Sequence, residues 1–220
     1  MHSHPLRMSS QRTVVVLAAG RSERFGAGRH KLAQPLGSSS VLARTLACAI
    51  ASHLRTVVVT TASFVDVARS SVAARDVVVL PDAGSDGNAS LGMGTSIAAG
   101  VRASPDSAGW LVLPGDMPLV QPATLLAVAR ALDDHAVAYA QHGGRRGHPV
   151  GFAAELYPEL TELSGDEGAR RIIARYPAFA VDLDDPGILV DIDTADDLDA
   201  LRRGFAEPPA APSASAVAPL

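Results

Sequence analysis

Cysteine is almost missing from this chain: Cys48 stands alone in 220 residues. A single thiol permits no internal disulfide and no cysteine-built zinc cluster, and it suits a reducing cytoplasm. Its setting, VLARTLACAIASHL, reads as a buried helix, which makes Cys48 a core thiol before it is a nucleophile. Aromatic residues are scarce at 4%, too few to build stacking platforms for single-stranded nucleic acid. Excess positive charge is missing as well. The net charge of −4 and a pI near 5.9 argue against a protein whose affinity rests on nucleic-acid phosphates. No uninterrupted apolar run reaches membrane-spanning length. The segment 1–12 is polar, lacks the apolar centre of a signal peptide, and is expected to be a flexible tail. His2 and His4 within it offer two imidazoles, but a frayed terminus explains them as well. The expected location is cytoplasmic, with no membrane or nucleic-acid partner.

The scarcity that matters most is of lysine. Lys31 is the only one, against 18 arginines. It ends the stretch Val14 to Leu32, VVVLAAGRSERFGAGRHKL, in which a β-branched strand breaks into a loop rich in Gly, Ser and Arg. Glycines let a backbone approach a ligand and aim N–H groups at anionic oxygens. A lone ammonium after such a loop suits a compact, mobile point charge against phosphate, a task that the planar guanidinium performs differently. The competing reading is a surface lysine left there by chance. The loop is neither a Walker A motif nor a GxGxxG dinucleotide fingerprint.

What is present in quantity is strand followed by helix. Strands are predicted over 13–18, 56–60, 77–80, 110–113, 136–140, 149–152, 179–183 and 189–192. Helices are predicted over 40–54, 64–74, 95–103, 122–132, 153–163, 167–175 and 195–203. Continuous Val/Leu strands alternating with helices imply an α/β fold on a mainly parallel sheet. The folded domain is expected over 13–203. The Pro/Ala-rich segment 204–220 is expected to be disordered.

Ligands in such sheets bind beyond the carboxyl ends of the strands. The unusual residues gather there. In Pro114-Gly115-Asp116-Met117-Pro118 a carboxylate follows an apolar strand between two prolines. Mg²⁺ takes one or two carboxylates plus phosphate oxygens, so Asp116 is a metal candidate; an aspartate in an ordinary turn is the alternative. Asp191 and Asp193 would share one face if 189–192 is a strand, and one of them can complete the metal shell. Alternatively Asp193 or Thr194 caps the last helix. The loop Pro81 to Gly94 offers Asp82, Asn88 and Ser90 to a base and ribose, although turn formation explains the same residues. Gly143 to Pro149 reads as a flexible basic turn able to meet an anionic acceptor. His148 within it is either a base or a structural imidazole.

Together these segments resemble a known family. LAAGRSERFGAGRHKL is similar to the LAAGxSxRFGxxK signature of the MobA-like nucleotidyltransferases. LPGDMPLV, GRRGHPVGF, GDEGARRII and DIDTADDL follow in the family's order, covering about 14–201. The subgroup most resembled is the molybdenum cofactor cytidylyltransferases, because Ala18-Ala19-Gly20 and Arg146-Gly147-His148-Pro149-Val150 match their pattern. The resemblance implies a Rossmann-like three-layer fold of the nucleotide-diphospho-sugar transferase type. It implies Mg²⁺-dependent transfer from CTP to the phosphate of molybdenum-loaded molybdopterin, with release of pyrophosphate. By matching position, Leu17, Ala18, Ala19, Gly20 and Ser22 would contact the nucleotide, and Arg24 and Lys31 would neutralise phosphate charge. Asp82 and Ser90 would lie near base and ribose. Asp116 would hold the metal, with Asp193 as second ligand. Arg146, Gly147, His148, Pro149, Asp166 and Arg170 would face the pterin. The implied partners are these small molecules and a molybdenum hydroxylase or its insertion chaperone. GTP or another acceptor is the variant of this reading. An NAD(P)H-dependent oxidoreductase of the nicotine-blue type is the alternative on the same fold. The spacer Gly26 to His30 exceeds the family's commonest length, so the reach of Lys31 is the point for the structure to decide.

Overall fold

The computed structural model describes residues 11–20, 25, 30–82 and 92–206, with side chains to residue 203. Nine strands are found among them. Seven form one sheet: β1 (Thr13–Ala18), β4 (Arg55–Thr60), β5 (Val77–Val79), β6 (Gly109–Pro114), β7 (Val137–His142), β8 (Arg145–Ala153) and β9 (Ala178–Asp182). The order across the sheet is β5-β4-β1-β6-β8-β7-β9. Every pairing is parallel except the two that β8 makes, with β6 and β7. The other two, β2 (Pro35–Leu36) and β3 (Ser39–Ser40), form a small hairpin.

Helices cover both faces, giving three layers. They are α1 (Val41–Ala51), α2 (Val65–Ser71), α3 (Gly92–Arg102), α4 (Pro122–Ala131), α5 (Tyr157–Thr161), α6 (Arg170–Arg175) and α7 (Ala195–Ala206). Val14, Val16 and Ala18 point into a core shared with Leu42, Leu46, Leu125 and Val128 of α1 and α4. Val15 points the other way, against Ile97 and Val101 of α3 and the layer with Leu160 and Ile172 of α5 and α6. Two buried faces are why β1 reads as an unbroken apolar run with no polar alternation. Among the described residues no helix is long and apolar enough to cross a membrane.

The structure departs from the sequence reading in four places. Helix α3 begins at Gly92, three residues early, inside what reads as a glycine loop. A Cβ on Gly94 would come within 2.6 Å of the Ser164 carbonyl oxygen, so glycine serves close backbone packing there. The flexible turn expected over 143–149 is mostly strand. Only Gly143 and Gly144 turn, with φ of 54° and 74°, as a two-residue hairpin needs; Arg145 to Pro149 belong to β8. The segment 189–192 is no strand: Pro186–Leu189 is a 3-10 turn and extended chain follows. The helix expected over 153–163 is a 3-10 turn followed by the short α5. The tail 1–12 falls mostly outside the described residues, and so does most of 204–220. Helix α7 runs on to Ala206.

Candidate active site

The loop that follows β6 is fixed by the neighbouring strand β1. The Gly115 N–H donates to the Leu17 carbonyl at the end of β1 (2.8 Å), and the Thr45 hydroxyl of α1 donates to the Gly115 carbonyl (2.9 Å). A Cβ on Gly115 would lie 2.9 Å from the Leu17 oxygen, so β1 and the Pro114 to Asp116 turn meet only because residue 115 has no side chain. The segment before α7 is sewn to the same loop, with the Ile192 N–H donating to the Asp116 carbonyl at 3.1 Å. Thr194 and Asp197 form a reciprocal cap. The Asp197 carboxylate accepts from the Thr194 N–H and hydroxyl at 2.7 Å each, and the Asp197 N–H donates to the Thr194 hydroxyl at 3.2 Å. The hydrogen bonds from Thr194 hold the Asp197 carboxyl below its ordinary pKa. With Thr194 capping, Asp193 is left to turn inward.

Lys31 closes the arrangement. It opens a 3-10 turn (Lys31–Ala33) whose preceding residue, His30, accepts the Leu32 N–H on its imidazole. The other ring nitrogen of His30 lies 3.0 Å from the Gly20 carbonyl, and the ring packs edge-on against Phe64 with centroids 4.4 Å apart. The two ends of the glycine loop are thereby held together whatever the spacer's length. The Lys31 Nζ stands 2.5 Å from Asp116 Oδ2 and 2.9 Å from Asp193 Oδ1, with the three side chains 16%, 14% and 30% exposed. Burial alone would depress the lysine pKa, but the Asp116 and Asp193 carboxylates outweigh it and raise it. The second oxygen, Asp116 Oδ1, is buried without a hydrogen-bond partner among the described residues.

That orphaned oxygen tests the fit to a divalent cation. Buried carboxylate oxygens are ordinarily satisfied, and this group carries one more negative charge than positive. Two carboxylates with an unspent lone-pair site suit Mg²⁺ or Mn²⁺, which take hard oxygen ligands. Asp116 and Asp193 would hold it.

The residues expected to face the acceptor lie on β8 and around the start of α6. On β8, Arg146 pairs with Gln141 and Val150 with Tyr139, which puts Arg146 on the face of Val150 and Phe152, in the layer of α3, α5 and α6; His148 lies in the register shift between them. Arg146 lies over the Tyr139 ring, 4.5 Å from its centroid. Burial pushes the His148 pKa down and the Arg146 charge adds to this, while Asp116 and Asp191 pull it back upward. Gly147 faces the opposite side, where a Cβ would come within 2.3 Å of the Ile188 oxygen. Pro149 follows His148 through a cis peptide. Asp166 and Arg170 are exposed and flank Ala169 and Ile172 of the same layer. Asp82 is exposed just past β5. Leu17, Ala18, Ala19 and Gly20 end β1 and begin the loop as expected. Ser22, Arg24 and Ser90 lie outside the described residues. His30 and Thr45 escape sequence reasoning. A histidine before Lys31 was visible, but nothing in a mid-helix threonine shows that it will hold a distant carbonyl. Cys48 sits under α4, its thiol donating to the Val120 carbonyl at 2.6 Å, and burial pushes its pKa up to about 12, as befits a core thiol.

Residues 14–180 match the model of the MobA-like NTP transferase domain. The purine catabolism protein PucB of Bacillus subtilis is 32% identical over 206 residues, covering 87% of this chain and 96% of that one. The crystal structure of Rv0371c from Mycobacterium tuberculosis superposes with a TM-score of 0.71 at 30% identity, covering 88% of this chain and 98% of that one. A structure of Rv0371c in complex with manganese matches at 28% identity and a TM-score of 0.66, with the same coverage. The three-layer architecture, the glycine loop on β1 and the matched span agree, and the chain belongs to the MobA-like NTP transferase family of nucleotidyltransferases.

Proposed function

We propose that this nucleotidyltransferase moves a cytidylyl group from CTP to the terminal phosphate of molybdenum-loaded molybdopterin. The observation that carries the reading is the shared ammonium: Lys31 between Asp116 and Asp193, beside a buried carboxylate oxygen that no described residue satisfies. An acceptor phosphate oxygen forms a bond to the α-phosphorus. The bond to the β-phosphate bridge breaks, and its electron pair leaves with pyrophosphate. Such chemistry asks for positioning and charge neutralisation rather than a covalent nucleophile. A divalent cation, when bound, would supply charge neutralisation across the phosphate oxygens.

The chain's own residues supply the rest. The end of β1, from Leu17 to Gly20, offers backbone to the nucleotide, and Lys31 neutralises charge on the phosphates and the leaving group. Asp116 and Asp193 hold the cation. Arg146 and His148 of β8 would meet the second anionic substrate. The Ala18-Ala19-Gly20 pattern favours CTP over GTP. That Rv0371c forms a complex with manganese supports a divalent cation for this chain as well. The name of PucB, a purine catabolism protein, supports a molybdenum hydroxylase of the xanthine-oxidising kind, or its insertion chaperone, as recipient of the product.

The test is pyrophosphate release from purified protein given Mg²⁺, molybdenum-loaded molybdopterin and each nucleoside triphosphate in turn. Release with CTP well above the others is expected. Release with GTP alone would reassign the nucleotide. No release with any of them, together with binding of NADPH by calorimetry, would overturn the reading in favour of the oxidoreductase alternative.

A further inference from the structure

We propose that Lys31 is a built-in counter-ion for the nucleotide-free enzyme. It occupies the carboxylate pair that the divalent cation needs, and releases it when phosphate oxygens accept its ammonium. The inference rests on the metal-and-phosphate reading of the site, and extends it to the order in which the site fills.

The geometry carries it. The Lys31 ammonium lies 2.5 and 2.9 Å from one oxygen each of Asp116 and Asp193. A Mg²⁺ ion that takes the orphaned Asp116 Oδ1 and reaches Asp193 as well would sit about 2.0–2.1 Å from its ligand oxygens, on the same two carboxylates that the ammonium holds. Two cations on one such pair repel at short range, and the mobile one is displaced. The carboxylates are not free to part, because the Ile192 N–H bond to the Asp116 carbonyl ties their segments together. Nor is the Lys31 backbone free to withdraw. Its turn is closed by bonds from Ala33 to His30 (3.1 Å) and from Gln34 to Lys31 (3.2 Å). The flexible element is the four-carbon lysine stem. In a chain that otherwise uses arginine for every fixed cation, this position holds the compact, mobile one.

A cation arriving alone must therefore evict Lys31 into solvent. A cation arriving with phosphates gives Lys31 new anions in exchange. Affinities for cation and nucleotide then rise together, and by linkage each raises the other equally. The enzyme would take up the metal chiefly with its nucleotide, and the empty site would keep its two acidic side chains bridged by one positive charge.

The solitary lysine makes the test direct, since a full-length chain labelled with ¹³C at lysine Cε gives one lysine side-chain signal. Titrating Mg²⁺ without nucleotide should move that signal, and chelation should return it. In parallel, Mn²⁺ affinity is measured without nucleotide on the native chain and on Lys31→Met, each checked for folding by circular dichroism. Lys31→Met should bind Mn²⁺ at least tenfold more tightly, and Lys31→Met combined with Asp116→Asn should lose that gain. A folded Lys31→Met that binds Mn²⁺ no more tightly overturns the proposal. So does a native chain that binds Mn²⁺ while its lysine signal stays fixed under saturating Mg²⁺, an arm that decides even if the variant does not fold. Binding by neither protein overturns both this proposal and the metal reading beneath it. A lysine signal that moves in a protein releasing no pyrophosphate leaves the competition standing and removes only the transfer reaction.

Discussion

Lys31 is where sequence and structure meet most directly. Its solitude was visible in the composition, and its place after a glycine loop pointed to phosphate. Its partners were not visible, because Asp116 and Asp193 lie 85 and 162 positions along the chain. The period-two argument that put Asp191 and Asp193 on one face also fails, since the chain there is not a strand. What selects Asp193 is the hydrogen-bonded cap that Thr194 makes with Asp197. The two aspartates should separate in a rate assay. Asp193→Asn should lower kcat/KM for nucleotidyl transfer by about 10²-fold or more, the scale of losing one charge-stabilising group. The exposed Asp191→Asn should change it by less than tenfold. Equal losses would mean that the Asp193–Lys31 contact is not the working one. Cys48 offers a prediction of the opposite kind. With its pKa near 12, only about one thiol in 10⁴ is ionised at pH 8, and the thiolate is the reactive form. Modification by a disulfide reagent should therefore be slow in the native protein, become fast in denaturant, and leave transfer activity intact until the protein unfolds.

At the scale of elements, apolar pattern located nearly every strand and helix, and glycine misled. The residues Gly92 and Gly94 look like loop punctuation, yet they let the start of α3 pack against the 164–166 backbone. Gly147 looks like part of a flexible turn, yet it lies within a strand where the Ile188 carbonyl fills the space of a side chain. Close approach between distant backbones leaves no local signal. Gly147→Ala should therefore act through structure: its Cβ would stand 2.3 Å from that oxygen, and β8 or the 186–189 turn must shift. A loss of about 1–3 kcal/mol is expected, the cost of overpacking a filled site, with a raised KM for the acceptor; chemical denaturation and steady-state kinetics check each part. The cap of α7 was legible as a threonine before a helical run. Thr194→Ala should cost about 0.5–2 kcal/mol. The Asp197 pKa is held below its ordinary value in the folded state, so that part of the stability is present above about pH 4 and lost as pH falls through the folded value. The difference in stability between native and Thr194→Ala proteins should shrink on acidification below pH 4, and a difference that grows there would contradict the assignment.

For the whole molecule, the fold class was readable and the strand order was not. Alternating elements imply a parallel sheet, but which strands pair is set by contacts between residues far apart in sequence, and the reversal of β8 needed the Gly143-Gly144 hairpin to be seen. The order matters because it sets β1 beside β6, so that Gly20 and Asp116 follow the carboxyl ends of neighbouring parallel strands. The single tryptophan marks the other end of the strands. Trp110 stands near the start of β6, paired across from Thr13 and Phe152. It is buried, and its indole N–H donates to the Ser104 hydroxyl at 3.0 Å. At about 3.3 Å per residue, roughly 20 Å of strand separates it from Asp116. Nucleotide bound at the Asp116 end should therefore leave the native tryptophan emission unchanged. The temperature at which that emission shifts should nevertheless rise, because a ligand that binds only the folded state stabilises all of it. At a hundredfold excess over Kd the gain is about 2.7 kcal/mol, or about 5–10 °C for a domain of this size. CTP with Mg²⁺ should produce this rise in the native protein and lose most of it in Asp116→Asn. A rise of equal size in Asp116→Asn would place the nucleotide elsewhere on the molecule.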